Sequence, residues 1–136
     1  MPGSRFKILP SSHAPAARAG FAASAELERR LRAAVGGEVR FDAGTLALYA
    51  TDASNYRHIP IGVVTPRDAA EVEATLAVCR ALDAPVLSRG GGTSIAGQCC
   101  NAAVILDFSR HMHRLLELDP AARTARVEPG IVLDRV

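Results

Sequence analysis

The sequence is poor in several features that particular classes of protein need. Its 136 residues include no tryptophan, only 4% are aromatic, and sixteen basic residues nearly balance fourteen acidic ones. A nucleic-acid-binding protein needs a clustered cationic face for its phosphate contacts, and an acidic disordered chain needs a large negative excess. The composition excludes both classes. With 49% hydrophobic residues, this length favours one globular domain.

Cysteine is also scarce, with three residues at Cys79, Cys99 and Cys100. The number is odd and no C-x-x-C pair is present, which argues against a disulfide framework, a zinc ribbon or an iron–sulfur cluster held by this chain. No apolar run approaches the roughly 20 residues of a membrane-spanning helix, and the N-terminus lacks the apolar core of a secretory signal. We therefore expect reduced thiols, no transmembrane segment and a cytoplasmic protein.

Hydrophobic periodicity divides the chain into three parts. Residues 1–20 show none and are predicted to be a flexible leader. Residues 21–57 are predicted to be a helical arm with a following loop. Its first helix is expected to begin at Ser24, to bury one apolar stripe and to end at two glycines, and a short second helix is expected over 43–50. Residues 58–136 form the third part.

The third part is predicted to be a small mixed β-sheet with helices, so that the fold class is α+β. Asp68 and Glu71 have the spacing of a capping box at the start of its helix. The first two strands and that helix make a β-α-β unit. The predicted elements are strand 61–65, a helix over 68–83, strands 85–88 and 103–108, a hairpin of 115–118 with 124–128, and the opening turn of a helix over 131–136.

The segment Arg89–Gln98, RGGGTSIAGQ, carries the densest chemical signal in the chain. Three consecutive glycines after a strand allow positive φ angles and a close approach of the backbone to a ligand. Successive N–H groups in such a loop form a nest for an anion, and the hydroxyls of Thr93 and Ser94 add donors. The pattern favours a diphosphate ligand over a simple turn.

Two common phosphate-binding patterns do not fit this loop. Ile95 stands where the dinucleotide fingerprint G-x-G-x-x-G needs its third glycine. The P-loop pattern requires lysine and then serine or threonine where Gln98 and Cys99 stand, so the terminal-phosphate charge and the Mg²⁺ ligand are both missing. What remains is a diphosphate held mainly by backbone N–H groups, without a metal.

Several motifs in order resemble one family. Residues 85–98 closely resemble the pyrophosphate loop of FAD-linked oxidases, whose FAD-binding domain is also found in vanillyl-alcohol oxidase and p-cresol methylhydroxylase. Residues 49–57, YATDASNYR, resemble the branch that holds D-lactate, glycolate and D-2-hydroxyglutarate dehydrogenases. LDFSRHM from Leu106 and VEPGIVL from Val127 continue the pattern. The resemblance extends over roughly residues 45–136 and is far more specific than one glycine loop.

The resemblance implies that residues 58–136 are the N-terminal half of an FAD-binding domain of the p-cresol methylhydroxylase type. The parent enzyme would oxidise a 2-hydroxy acid by hydride transfer to FAD. Some members attach the flavin covalently through a histidine at the third glycine, where Gly92 stands, so noncovalent FAD is expected. The cofactor-binding residues that it implies are Arg89, Gly90, Gly91, Gly92, Thr93, Ser94, Gly97, Gln98, Pro129 and Gly130, with Pro66 as a weaker match.

The same family places its catalytic base and most substrate contacts in a later part of the chain. No catalytic residue is therefore expected here, and the 136 residues alone are expected to be inactive. Two other hypotheses stay open. The chain is either a non-catalytic nucleotide- or anion-binding module, or a truncated unit that associates with itself or with another chain through an open sheet edge.

A few polar residues have two interpretations at this stage. Arg89 neutralises phosphate charge or pairs with an acidic residue of the loop. His111 and His113 are surface residues or part of a metal site, the first being favoured. Asp107 is expected to cap the turn after its strand. Four residues of the loop after the second predicted helix also have two interpretations: they position flavin or substrate, or they hold their own loop by hydrogen bonds. These residues are Asp52, Ser54, Tyr56 and Arg57.

Overall fold

The computed structural model describes residues 21–136. The expected leader, residues 1–20, lies outside the described residues. None of the helices described is long and apolar enough to cross a membrane. The helices are α1 (Phe21–Ala34), α2 (Ala43–Leu48) and α3 (Ala69–Ala81); the strands are β1 (Glu38–Arg40), β2 (Gly62–Thr65), β3 (Val86–Arg89), β4 (Val104–Asp107), β5 (Leu115–Asp119) and β6 (Thr124–Val127); a 3₁₀ turn follows at Leu133–Arg135.

The central sheet is mixed and has four strands in the order β1-β2-β4-β3. The strands β2, β4 and β3 are parallel, and β1 pairs antiparallel with β2 at one edge. The predicted β-α-β unit is present as β2-α3-β3, but β4 lies between its two strands. Parallel strands end at the same edge of a sheet, so the loops after β3 and β4 emerge together. The predicted α+β class is confirmed.

The start of one helix was predicted wrongly, and one strand was missed. Helix α1 begins at Phe21 rather than at Ser24, because the alanines before Ser24 are strong helix formers. The helical turn predicted over 131–136 is present as a 3₁₀ turn at Leu133–Arg135. The strand β1 has three residues, too few to show a period, and it was not predicted.

One face of the sheet packs against α1 and α3 and forms the core. The apolar stripe predicted for α1, consisting of Leu27, Leu31 and Val35, is buried there against Val64 and Leu106 of the sheet. Cys79 of α3 joins the same cluster, and burial raises the pKa of its thiol to about 11. That thiol is protonated at neutral pH and packs as a small apolar group.

The start of α3 departs from a simple capping box. Asp68 caps the helix as predicted, since its Oδ1 accepts from the N–H of Glu71 at 3.0 Å. The Glu71 carboxylate does not return to Asp68, however. It accepts from the N–H groups of Arg67, Gly36 and Gly37 at 2.9, 3.1 and 3.2 Å. This carboxylate therefore ties the end of α1 to the start of α3, because the turn after α1 leaves its N–H groups facing it.

The hairpin β5–β6 is a separate two-stranded sheet. It is confirmed where the sequence predicted it, and Arg114 and Glu128 close its base. The Arg114 Nη2 lies 2.7 Å from Glu128 Oε1, and its backbone N–H also donates to Glu128, so these bonds hold the pKa of that carboxyl below its usual range. Every residue of both strands is exposed, including apolar ones.

Candidate functional site

A cleft of about 600 Å³ lies beyond the carboxyl ends of β3 and β4. Three of the predicted site residues, Gly91, Thr93 and Gly130, line it together. The others are not among its lining residues in the described part of the chain. The remaining wall was not predicted as part of the site, although Ser109 and residues 131–133 lie in the LDFSRHM and VEPGIVL motifs. It consists of Ser109, His113, Ile131, Val132, Leu133 and Asp134.

The four glycines of the loop after β3 fall into two pairs. Gly92 and Gly97 have φ angles of +67° and +78°, and a Cβ there would lie 2.4 Å from Arg89 Nη2 and 2.8 Å from Tyr56 Cδ2. The fold itself requires glycine at these two positions. Gly90 and Gly91 have ordinary φ angles, and a Cβ there would meet nothing closer than 3.8 and 3.6 Å. Neither backbone strain nor packing explains them, but a ligand lying against a bare backbone would.

The amides of this loop are available to such a ligand. Within residues 21–136, the N–H groups of Gly91, Gly92, Thr93 and Ser94 donate no hydrogen bond to the protein. Further along, the loop closes on itself, because the Ser94 hydroxyl accepts from the N–H of Gln98 at 3.2 Å and also contacts the Gln98 side chain. Successive unbonded N–H donors are the feature of an anion nest.

Pro129 and Gly130 reach the site from the end of β6. A Cβ at Gly90 would lie 3.8 Å from the Pro129 carbonyl oxygen, so this segment runs beside the glycine loop. The N–H of Gly130 donates to Met112 O at 2.8 Å. A Cβ on Gly130 would lie 2.2 Å from Phe108 O, so only glycine fits against the turn after β4. This packing positions one wall of the cleft.

Arg89 lies at the base of the glycine loop rather than in the cleft. Its Nη1 donates to Thr51 O at 2.9 Å and to Cys99 O at 2.8 Å, and its guanidinium lies over the Tyr49 ring. One interpretation of Arg89 from the sequence was a pair with an acidic residue of the loop. In the structure its hydrogen-bond partners are two backbone carbonyls instead. In this arrangement the guanidinium joins three segments of the chain.

The segment after α2 is held by its own hydrogen bonds, as one of the two sequence interpretations expected. Asp52 Oδ1 accepts from the N–H and the hydroxyl of Ser54 at 2.9 and 2.5 Å. These hydrogen bonds lower the pKa of Asp52, and the bond from the Ser54 hydroxyl has the largest effect. Tyr56 packs its ring on Gly97, and Arg57 is exposed and pairs through its backbone with Thr51.

Asp107 ends β4 as a buried carboxylate and caps the following turn, as predicted. Its Oδ1 accepts from the N–H and hydroxyl of Ser109 at 2.8 and 2.6 Å. Its other oxygen accepts from the Tyr49 hydroxyl at 2.5 Å, a contact that no local pattern indicated. Burial, followed by this hydrogen bond, raises the pKa of Tyr49 to about 12.

His111 and His113 differ in their relation to the cleft. Both are exposed and flank the buried Met112; His113 lines the cleft, and His111 is not among its lining residues. Across residues 21–136, no group of three or more histidine, cysteine or acidic side chains is arranged to hold a metal ion. All three cysteines are free thiols.

Comparison with known families defines the class of protein to which this fold and loop belong. Residues 60–136 match the family model of the FAD binding domain. Because this match covers more than half of the chain, the chain belongs to that family. The expected resemblance to FAD-linked oxidases is thereby confirmed.

Bacterial proteins are among the relatives of the chain. The chain is 40% identical over 89 residues to D-2-hydroxyglutarate dehydrogenase of Escherichia coli (strain K12), covering 63% of this chain and 9% of that protein. It is 36% identical over 104 residues to the glycolate oxidase subunit GlcD of Bacillus subtilis (strain 168), covering 72% and 22%.

Solved structures share the fold at lower identity. Substrate-bound p-cresol methylhydroxylase superposes with a TM-score of 0.66 at 21% identity, over 82% of this chain and 23% of that one. Alkyldihydroxyacetonephosphate synthase superposes with a TM-score of 0.66 at 22% sequence identity. The match covers 79% of this chain and 24% of that one. The chain thus spans about a tenth to a quarter of the proteins that it matches.

Proposed function

We propose that this chain is the FAD-binding portion of a flavin-dependent oxidoreductase that oxidises a 2-hydroxy acid by hydride transfer to noncovalent FAD. The observation that carries the proposal is the bare backbone of Gly90 and Gly91 together with the unbonded amides from Gly91 to Ser94, of which Gly91 and Thr93 line the cleft. A diphosphate fits this chemistry, since its oxygens accept from amides without a metal or a lysine. The substrate class rests on the relatives' names, since 2-hydroxyglutarate and glycolate are both 2-hydroxy acids.

The roles of the loop residues are part of the proposal. The backbone from Gly90 to Ser94 holds the diphosphate, Gly97 and Gln98 close the loop, and Pro129 with Gly130 form the facing wall. Arg89 acts from behind the loop. Bound FAD supplies the hydride-accepting chemistry, and the residues of this chain bind and orient it.

Residues 58–136 are then the N-terminal half of the FAD-binding domain, and residues 21–57 are a helical arm with its loop. Packing of α1 on α3 and pairing of β1 with β2 support treating the arm as a brace for that half. Three free thiols support a reducing, cytoplasmic setting.

Noncovalent attachment is supported by the surroundings of Gly92. Its missing Cβ would lie 2.4 Å from the Arg89 guanidinium, so a side chain there would have to displace Arg89. Glycine has no side chain that could bond to the flavin, and the position of Arg89 leaves no room for one where some family members link their flavin.

The exposed hairpin β5–β6 favours a second proposal, association with further polypeptide. Leu115, Leu116, Leu118 and Val127 are all more than a third exposed, and such clustered apolar surface marks an interaction site. The occupant is either the remainder of a longer parent protein or a second copy. Sedimentation of the 136-residue chain over a concentration series separates these two, because only the second gives a dimer.

Titration of the 136-residue chain with FAD and with ADP, followed by flavin fluorescence and by calorimetry, tests the main proposal. FAD is expected to bind more tightly than ADP, and a 2-hydroxy acid such as glycolate is expected to leave the bound flavin oxidised, since the chain spans so little of its relatives. Bleaching by glycolate would overturn the expected inactivity. Equal affinity for the two ligands would favour a nucleotide-binding module, and no binding of either would overturn the proposal.

A further inference from the structure

The loop after α2 touches the glycine loop at its beginning, middle and end. Thr51 O accepts from Arg89 Nη1 at 2.9 Å, and the N–H of Ala53 donates to Gly92 O at 3.1 Å. Asp52 Oδ2 accepts from the N–H of Cys99 at 3.1 Å. Three consecutive residues therefore hold the glycine loop at three separated points.

Asp52 is the centre of this bracing because both of its oxygens are engaged. Oδ1 is held by the N–H and hydroxyl of Ser54, which fixes the carboxylate so that Oδ2 faces Cys99. The carbonyl of Cys99 accepts from Arg89 on its other side at 2.8 Å. Both backbone groups of Cys99 are thus tied, and the returning arm of the glycine loop is anchored.

Such anchoring matters for a loop of this composition. Glycine has the largest conformational freedom in the unanchored state, and ordering a mobile loop at the moment of binding lowers affinity. The amides of Gly91 to Ser94 converge on a ligand only if both arms of the loop are held. None of the contacts of Asp52 lies in the cleft itself.

We propose that Asp52 is a positioning residue for diphosphate binding, acting through Cys99 and the arm of the glycine loop without touching the cofactor. The inference rests on the proposed FAD function. It goes further in assigning part of the affinity to a carboxylate outside the cleft, so that removal of this carboxylate weakens binding more than it weakens the fold.

The test compares Asp52→Asn with wild type and with Asp83→Asn. Asparagine keeps the size of the side chain, but one oxygen becomes an amide donor, so either Cys99 or Ser54 loses its acceptor. Asp83 is exposed with a φ of 53°, which asparagine tolerates, and makes no contact with the loop, so it is the matched control. Dissociation constants for FAD and ADP and the urea midpoint of unfolding are measured for each protein.

Asp52→Asn is expected to raise the dissociation constants of FAD and of ADP by a similar factor, about tenfold. This is the usual effect of losing one charge-assisted hydrogen bond. Its urea midpoint is expected to fall below that of Asp83→Asn, because the same hydrogen bond also contributes to stability. Affinities are therefore measured without urea, where each protein stays folded. If Asp52→Asn does not fold, Ser54→Ala replaces it, because this change removes one bond that orients the carboxylate, and a smaller loss in the same direction is expected.

Two results overturn the inference while leaving the proposed function standing. One is an Asp52→Asn protein that binds both ligands as tightly as wild type does. The other is a loss of affinity no larger than its unfolded fraction accounts for, which would mean a merely structural role. A wild-type chain that binds neither FAD nor ADP overturns the proposed function and this inference together.

Discussion

The guanidinium carbon of Arg89 lies 5.2 Å from the centroid of the Tyr49 ring, at the base of the glycine loop. Tyr49 in turn donates its hydroxyl to Asp107 at the end of β4. These three side chains connect the end of α2, the end of β3 and the end of β4. The glycine loop thus emerges from a hydrogen-bonded base, and the first two predictions concern this base.

Replacement of Arg89 by lysine is expected to lower the free energy of unfolding by about 1–2 kcal/mol, because an ammonium group cannot lie flat on Tyr49 while bonding two carbonyls. Urea denaturation measures this loss. The matched control is Arg126→Lys on the exposed strand β6, which is expected to change little. Equal stability of both variants would contradict the bracing role of Arg89.

Stability is expected to fall as pH rises from about 10 to about 12, because of Tyr49. The pKa of this phenol is 10.0 ordinarily and about 12 in the fold, so the unfolded state loses its proton first. The contribution is complete below pH 10 and is lost through pH 12. It amounts to about 1 kcal/mol after allowance for solvent screening at a partly exposed group.

Tyr49→Phe is expected to flatten this part of the pH–stability curve, because it has no phenol to ionise there. Tyr56→Phe serves as the control, since its ring packs on Gly97 without a buried carboxylate partner. Chemical denaturation at a series of pH values measures the free energy of unfolding of both variants and of the wild type. A curve for Tyr49→Phe as steep as that of the wild type would show that another group is responsible.

Alanine at two neighbouring glycines is expected to separate binding from stability. Gly91→Ala keeps an ordinary φ and open space, so the fold is retained, while a methyl group at the edge of the cleft reduces FAD affinity. Gly92→Ala forces a Cβ into a left-handed conformation and against Arg89, at a cost of about 1–3 kcal/mol. Urea midpoints and FAD titrations of both proteins measure the two effects, and the reverse pattern would contradict the assignment of Gly91.

Glu71→Gln is expected to destabilise the fold by about 1–3 kcal/mol, because one of its oxygens becomes a donor facing backbone N–H groups. The carboxylate accepts from Arg67, Gly36 and Gly37, so this loss loosens the junction of α1 with α3. Glu73→Gln, two residues along on the exposed face of α3, is the control. Thermal unfolding of the two variants should differ clearly, and similar values would show that the junction contributes little.

Much of the central architecture was predictable because it rests on local patterns. The strands from β2 onward and the hairpin β5–β6 lie within one or two residues of their expected bounds, since apolar alternation and turn residues report burial directly. Asp68 and Asp107 were recognised as caps for the same reason, because their partners lie two or three residues away.

The candidate site was predictable only in part. The glycine loop was found from composition and order, and Gly91, Thr93 and Gly130 do meet at the cleft. Ile131, Val132 and Leu133 lie in the VEPGIVL motif, but nothing in that motif indicates that they line the same cleft as the glycine loop. The partners of Arg89 were also out of reach, because backbone carbonyls have no signature in the sequence.

The amino-acid sequence by itself determined the order of elements from β2 onward, the stripe of α1 and the chemistry of the glycine loop, since each follows from residues close together along the chain. Only the tertiary structure decided that β4 lies between β2 and β3, that Glu71 holds the end of α1, and that Asp52 reaches Cys99, 47 residues away. The physical reason is that periodicity and propensity record which residues are buried or turned. The partner of a buried polar group depends instead on which distant segments the folded chain brings within hydrogen-bond distance.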